Sequence, residues 1–487
     1  MSLALGFDVG TQGTKGLVVD LEARRVVARA SRAYDLIEGL PAGHAEQHPS
    51  TWVDAVAGVA AELTSSAEVD PERVSSIGVS GQQHGLVVLD REGEVVRPAK
   101  LWCDTSTAAE SRELTEAFGH SVPAGFTAPK ILWMARNEPE KWARVQTVLL
   151  PHDYLNLRLT GERTMEAGDA SGTGFFDPRS RSFDQDQVGR VDPRLAECLP
   201  PLLGAGELAG RLDGEGARLL GLPEGIPVSA GGGDNMMSAI GSGATRSGVV
   251  VVSLGTSGTV FTHADHPVID PDGAIAPFCG SAGGWLPLLC VMNLTGVTEE
   301  VRGGFGMDHG ELTEAASAVP AGCDGLSWLP YLAGERVPDL PEATGTLLGM
   351  RAGHLRPGVL YRAALEGTSL NLGWGVDRMR GLGVEASEVH LVGGAARNPL
   401  WRSIHADVLG CRITPLEEPE SAALGAALQG AWSAEHARGG GVSLSELAAP
   451  FIRTGAEPTE PDSGRVEVYS DLKARFRAAV ESIYPAS

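Results

Sequence analysis

Two unbroken apolar runs, each closing on a glycine- and threonine-rich turn, frame the chain. Residues 3–7 read as a strand, "DVGTQGTKG" (residues 8–16) as the turn that follows, and residues 16–20 as a second strand. Far downstream, residues 249–252 read as a strand, Gly255 to Gly258 in "SLGTSGTVF" as the turn, and Val260-Phe261 as the strand that continues it. Between and beyond these, the pattern alternates. Residues 52–63 have helical apolar spacing and are opened by Pro49-Ser50. Residues 77–79 and 86–89 read as short strands. The glycine run "SAGGGDN" (residues 229–235) leaves a strand and enters a small-residue helix. Helices are expected over 359–379 and 400–409, a strand over 389–392, an exposed linker over 454–464 and a surface helix over 466–484. Strands alternating with helices predict the α/β class.

Length changes the picture from one such unit to two. A chain of 487 residues exceeds an ordinary single core, and 43% hydrophobic residues suffice for two. The small-residue stretch at 241–247 separates two periodic segments. It divides the chain into an expected domain over 1–243 and another over 244–487. With 39 basic against 62 acidic residues, the net charge of −23 leaves no basic face for nucleic acid. The six cysteines include no Cys-x-x-Cys pair, which predicts free thiols rather than a zinc knuckle. No apolar run is long enough to span a bilayer and no charged leader opens the chain, so a cytoplasmic protein is expected. A homodimer is the default assembly.

The candidate chemistry gathers at the glycine turns. Backbone N–H groups of Gly10, Thr11 and Thr14, and of Gly255 and Thr256, can line concavities suited to phosphate oxygens. Two such turns could grip one polyphosphate from both sides. Asp8, at the end of the first strand, suits magnesium; as a turn aspartate it would be ordinary. Lys15 reads as a solvated lysine. Asp234 follows three glycines that deny it side-chain neighbours, so its carboxylate can either cap a helix or take a proton from an attacking hydroxyl. "GQQHG" (residues 81–85) places Gln82, Gln83 and His84 beyond a strand end, with donors and acceptors that suit sugar hydroxyls. "LWCDTST" (residues 101–107) adds Trp102 and Asp104 at another. "GGAARN" (residues 393–398) joins a strand to a helix, the geometry that meets a nucleotide. No Gly-Lys dipeptide exists, which excludes a Walker A loop, and the protein-kinase signatures are missing.

These residues resemble the FGGY carbohydrate kinases. "GFTAPKILWMARN" (residues 125–137) fits that family's first signature, including Lys130 and Trp133. "GTLLGMRAGHLRPGVLYRAALE" (residues 345–366) resembles the second, departing at Val359. "GHAEQHPSTW", "DASGTGFFD", "GGGDN", "SLGTSGT" and "GGAARNPLW" are similar to segments of the family's xylulokinase branch, in order. The resemblance implies two ribonuclease-H-like domains of the actin and hexokinase type around a deep cleft. It implies Asp234 as general base, Asp8 as the magnesium-associated carboxylate, and Gln83, His84 and Asn235 as sugar contacts. It implies Gly255, Thr256, Gly394, Ala395 and Asn398 as ATP contacts. The activity implied is ATP-dependent phosphorylation of the terminal hydroxyl of a ketose, D-xylulose first. Ribulose, L-xylulose and sedoheptulose stand as alternatives, because Gln83 replaces a methionine common in that branch. An actin-like ATPase and a silent sugar sensor are the rivals outside it.

Overall fold

The structure, a computed structural model, describes residues 2–485. Met1, Ala486 and Ser487, which the two sequence domains include, lie outside the described residues. The repeated pattern becomes a repeated topology. In the first sheet, Leu3–Val9 forms an antiparallel hairpin with Gly13–Asp20, which pairs onward with Arg25–Ala33. On its other side Leu3–Val9 pairs in parallel with Val74–Gly81. In the second sheet, Gly248–Leu254 forms the hairpin with Gly258–Thr262, which continues antiparallel to Trp285–Val291 and Ala276–Cys279. Its other side pairs in parallel with Ala386–Val392, and that strand with Arg412–Pro415. Both central strands read as continuous apolar runs because both of their faces are covered.

Helices cover the sheets where periodicity places them. Pro49–Thr64 packs Trp52, Val56, Val59 and Leu63 on the first sheet. Pro357–Gly381 and Pro399–Leu409 share the second core. The expected surface helix is Ser463–Ile483, which buries Tyr469, Phe476 and Val480 and exposes most of the rest. The stretch expected as an exposed linker is exposed, but Thr459 exchanges two backbone hydrogen bonds with Ile413 and so extends the second sheet's edge. Among the described residues no helix is long and apolar enough to cross a membrane, and the six cysteines are free.

One helix was not legible in the pattern, and it ties the halves together. Ser421–His436, late in the chain, lies on the first sheet rather than the second, packed among Ala4, Leu17, Val19, Met237 and Ile240. The approach is close because glycines line it. A Cβ on Gly78 would stand 1.9 Å from the Ala426 carbonyl oxygen, and one on Gly6 would stand 2.1 Å from that of Ala423. Against the helix Asp234–Gly241 the fit is as tight: a Cβ on Gly425 would meet the Met237 carbonyl oxygen at 1.8 Å. Here the obstacle is backbone, which cannot swing aside as a side chain would. Gly425→Ala is therefore expected to cost about 1–3 kcal/mol or more by overpacking. Gly303→Ala, in a helix position with nothing within 4 Å, is expected to gain about 0.5–1 kcal/mol. Urea unfolding of the two variants should move the midpoint in opposite directions; equal shifts would refute this account of the interface.

Candidate active site

The ends of the central strands meet between the two sheets. A cavity of about 200 Å³ lies there, lined by Asp8, Lys15, Asn235, Ser253, Thr259, Gly393 and Glu420 among others. A larger recess of about 600 Å³, around Pro71, Glu215, Arg218 and Glu224, lies away from every one of these groups and contains none of the expected site residues. The cleft is the place where chemistry is possible.

Strand register brings the two key carboxylates together. Asp8 pairs with Ser80, and Ser80 pairs with Gly232, so Asp8 and the segment leading to Asp234 flank one strand. Gly231 makes the turn at φ +78°, where a Cβ would stand 2.7 Å from the Val79 carbonyl oxygen. Gln429, on the helix Ser421–His436, clamps that turn by accepting from Gly231 N at 3.1 Å and donating to Gly231 O at 2.9 Å. Asp234 then opens its helix, and its Oδ1 accepts from Asn235 N at 2.8 Å and Asn235 Nδ2 at 3.0 Å. Burial, then the charge of Asp8, pushes the Asp234 carboxyl up to about 7. Asp8 is raised as well by burial, although it accepts from Ser80 Oγ at 2.8 Å. Both carboxyls are therefore crowded and desolvated, and a hard divalent cation bound beside them would offset both.

The residues expected to contact a sugar split by side. Gln83 Oε1 accepts from Asn235 Nδ2 at 2.9 Å, which joins it to Asp234. Gln82, its neighbour, points the other way and holds the first turn: its Oε1 accepts from Thr11 Oγ1 at 3.0 Å and its Nε2 donates to Gln47 at 3.0 Å. His84 sits at φ +64°, a left-handed conformation that costs a non-glycine residue about 1–3 kcal/mol. Lys130, fully buried, holds it there by donating to the carbonyls of His84 at 2.9 Å and Phe126 at 3.1 Å, and to that of Gly125. Burial, helped by the positive charges of Lys130 and Arg336, lowers the His84 imidazole to about 3, so it is neutral. Its ring lies against Phe126 and, from the second half, Phe278, with centroids 4.6 and 5.8 Å away. Trp102 remains 45% exposed and its Nε1 donates to Thr11 Oγ1 at 2.9 Å, which sets the indole over the first turn.

Two of the expected contacts already have partners within the protein. Asp104 is not an open acceptor. It is fully buried, its Oδ2 accepts from Lys100 Nζ at 3.0 Å and Ala45 N at 2.9 Å, and its Oδ1 accepts from Ser106 N at 3.0 Å. His44, Glu46 and Asp104 form a cluster of metal-ligand type, but the Lys100 ammonium stands among them, 3.2 Å from Glu46 and 3.3 Å from His44. Thr14 is likewise buried, with its hydroxyl 3.3 Å from that of Tyr34, which donates to the Gly10 carbonyl at 2.8 Å. It supports the turn from behind. Lys15 is half exposed and pairs with Glu420 at 2.7 Å.

On the second sheet, the Gly255-Thr256 turn is exposed and is backed by the start of the helix Thr295–Phe305, whose Thr295 N donates to Gly255 O at 3.1 Å. Gly393, at φ +96°, passes so close to the strand end that a Cβ would stand 2.6 Å from the Leu254 carbonyl oxygen. Gly394 beside it is exposed and Ala395 half-buried, which leaves their backbone accessible. Asn398 caps the helix Pro399–Leu409: its Oδ1 accepts from Leu400 N at 3.0 Å and Trp401 N at 3.2 Å, and its Nδ2 donates to Thr313. The cap fixes the turn, and the exposed glycines are what it offers a ligand.

Sequence comparison agrees with this geometry. Residues 3–241 match the N-terminal domain of the FGGY family of carbohydrate kinases, and residues 250–434 match its C-terminal domain. A xylulose kinase of Haemophilus influenzae is 38% identical, covering 99% of this chain and 100% of its own. Another, from Streptomyces coelicolor, is 39% identical over 88% of this chain and 87% of its own. The crystal structure of a xylulose kinase from Rhodospirillum rubrum superposes with a TM-score of 0.90 at 31% identity, over 99% of both chains. A gluconate kinase from Lactobacillus acidophilus superposes equally well, at 0.90 with 25% identity, over 100% of this chain and 99% of that one. The fold is that of two actin- and hexokinase-like domains facing a cleft, and the chain belongs to the FGGY family of carbohydrate kinases.

Proposed function

We propose that this kinase phosphorylates the terminal hydroxyl of a ketose, D-xylulose before others, with Asp234 as the general base. The observation that carries the reading is the Asp234 carboxylate. Its neighbour Asn235 lines the cavity between the two sheets and joins it to Gln83, and burial and Asp8 poise the carboxyl near neutrality. The similar xylulose kinases, which cover nearly the whole chain, support the sugar. The reaction needs positioning and charge stabilisation more than covalent chemistry. The C5 hydroxyl oxygen forms the new bond to the γ-phosphorus as its proton passes to Asp234. The bond from that phosphorus to the β–γ bridging oxygen breaks, and ADP leaves. Gly10 N and Gly255 N close their own turns by donating to Gly13 O and Ser257 O, and the turns so fixed would bring the backbone at Thr11 and Thr256 to the spreading negative charge from either side. Asp8 would hold magnesium, which when bound neutralises phosphate charge. The neutral His84 offers the sugar a hydrogen bond without adding charge, and Trp102 shields the first turn.

The test is ADP release with magnesium and ATP across D-xylulose, L-xylulose, D-ribulose, sedoheptulose and gluconate. A response to D-xylulose above the rest is expected. A response only to another sugar would move the substrate and keep the mechanism, whereas silence with ATP bound would favour a sensor or an actin-like ATPase. Asp234→Asn should lower kcat by at least about a thousandfold, with sugar affinity within a few-fold, since general-base removal leaves the contacts in place. Near-normal turnover would remove the assignment.

The pH dependence follows from the same group. A base acts only when deprotonated, and the Asp234 carboxyl is raised to about 7. kcat/KM for the sugar should therefore fall about tenfold per pH unit on the acidic side, with the limb at or below neutrality, and level off above it. An identical limb in the residual activity of Asp234→Asn would assign it to a different group.

A further inference from the structure

Beside the cleft lies a buried polar cluster that the reaction as described does not use. His152, on the helix Pro151–Thr160, is fully buried between two carboxylates. Its Nδ1 is 2.8 Å from Asp169 Oδ2 and its Nε2 is 2.9 Å from Asp153 Oδ1. Burial alone would lower its pKa, but the two carboxylates outweigh that and raise it well above the ordinary histidine value. Asp169 is therefore fixed at one oxygen. Its backbone is fixed too, because Asp169 N donates to Glu166 Oε2 at 2.9 Å, and the same oxygen accepts from Ser281 Oγ of the second half at 2.9 Å.

The other oxygen is free. Asp169 is fully buried, and its Oδ1 has no hydrogen-bond partner. It stands 3.1 Å from where a Cβ on Gly233 would lie, and Gln83 Cδ stands 2.9 Å from that same point. Gln83 Nε2 is buried and also lacks a hydrogen-bond partner. The amide is near enough to favour the charged form of Asp169, yet the two atoms do not meet hydrogen-bond geometry. An unsatisfied acceptor and an unsatisfied donor thus stand side by side, one residue from Asp234, where the absence of a Cβ on Gly233 lets both side chains close on the backbone. Neither is left so without cost in a native protein unless something else completes it. A sugar hydroxyl, which donates once and accepts twice, completes both.

We propose that Asp169 is a substrate-binding residue: its Oδ1 accepts a hydrogen bond from one non-reacting hydroxyl of the ketose, and that hydroxyl accepts from Gln83 Nε2. The pairing rests on the sugar-kinase reading of the cleft and adds a specificity determinant to it. A site built around such a hydroxyl rejects the analogue that lacks it, because the buried carboxylate and amide are then left unpaired.

The experiment crosses Asp169→Asn with deoxy sugars. Binding of D-xylulose and of its 1-deoxy, 3-deoxy and 4-deoxy analogues is measured calorimetrically on wild type and variant, with the KM for ATP alongside. The variant is expected to weaken D-xylulose binding at least tenfold and to change the KM for ATP less than twofold. One deoxy sugar should bind wild type at least tenfold more weakly than D-xylulose and lose little more in the variant. Additive losses for all three analogues, or unchanged D-xylulose affinity in the variant, would overturn the proposal while leaving the kinase reading intact. A wild type that binds and phosphorylates no ketose would overturn both. If Asp169→Asn does not fold, Gln83→Leu must show coupling to one of the three hydroxyls, and its absence for all of them refutes the shared contact.

Discussion

The structure depends on one close packing, that of the helix Ser421–His436 on the first sheet. Backbone comes within what would be Cβ distance of the sheet at Gly6 and Gly78, and of the helix Asp234–Gly241 at Gly425, so at these points the surfaces meet with no side chain between them. Dispersion contacts over such a surface are many, and none can be exchanged for a larger residue. The consequence reaches the cleft directly. Gln429, from that helix, clamps Gly231 and also donates to Ser281 O at 3.1 Å, so one side chain holds the loop carrying Asp234 and a loop of the second half. Glu420, just before the helix, pairs with Lys15 at the cavity. A segment from late in the chain thus completes the wall of the early domain.

Within that frame, the cleft concentrates negative charge that the fold does not neutralise. Asp8 and Asp234 are both raised by burial, and Asp8 raises Asp234 further. Under the proposed mechanism a divalent cation held there would offset both carboxylates, and binding energy would be realised where charge is transferred. The buried pairs elsewhere are balanced instead. Asp104 has its Lys100 and His152 has its two aspartates.

Much of this was legible in the sequence, for reasons that are themselves physical. The duplicated strand, turn and strand was visible because both central strands are buried on two faces and so read as apolar runs. The glycines before Asp234 were visible because a left-handed turn packed against Val79 admits nothing larger. The helix Ser421–His436 was not, because thirteen of its sixteen residues are buried: Ser421, Ala422, Ala423, Leu424, Gly425, Ala426, Ala427, Leu428, Gln429, Gly430, Ala431, Ser433 and Ala434. A helix enclosed on every side has no polar stripe to betray its period. The internal partners of Asp104 and Thr14 were hidden for a related reason. Residue type and strand-end position suggest a cleft contact, but only three-dimensional partners reveal that Lys100 and Tyr34 already satisfy them.

The two adjacent glutamines show how far composition can carry a reading and where it stops. Gln82 and Gln83 have identical chemistry and consecutive positions beyond one strand end, and sequence offers no means to tell them apart. Burial does not separate them either, since both are nearly inaccessible. What separates them is satisfaction. Gln82 has partners at both ends of its amide, Thr11 and Gln47, and so belongs to the scaffold of the first turn. Gln83 has Asn235 at its oxygen and nothing at its nitrogen, so its amide is half complete and faces the carboxylate loop. The proposed sugar contact rests on that incomplete amide and the incomplete carboxylate beside it more than on the residue types.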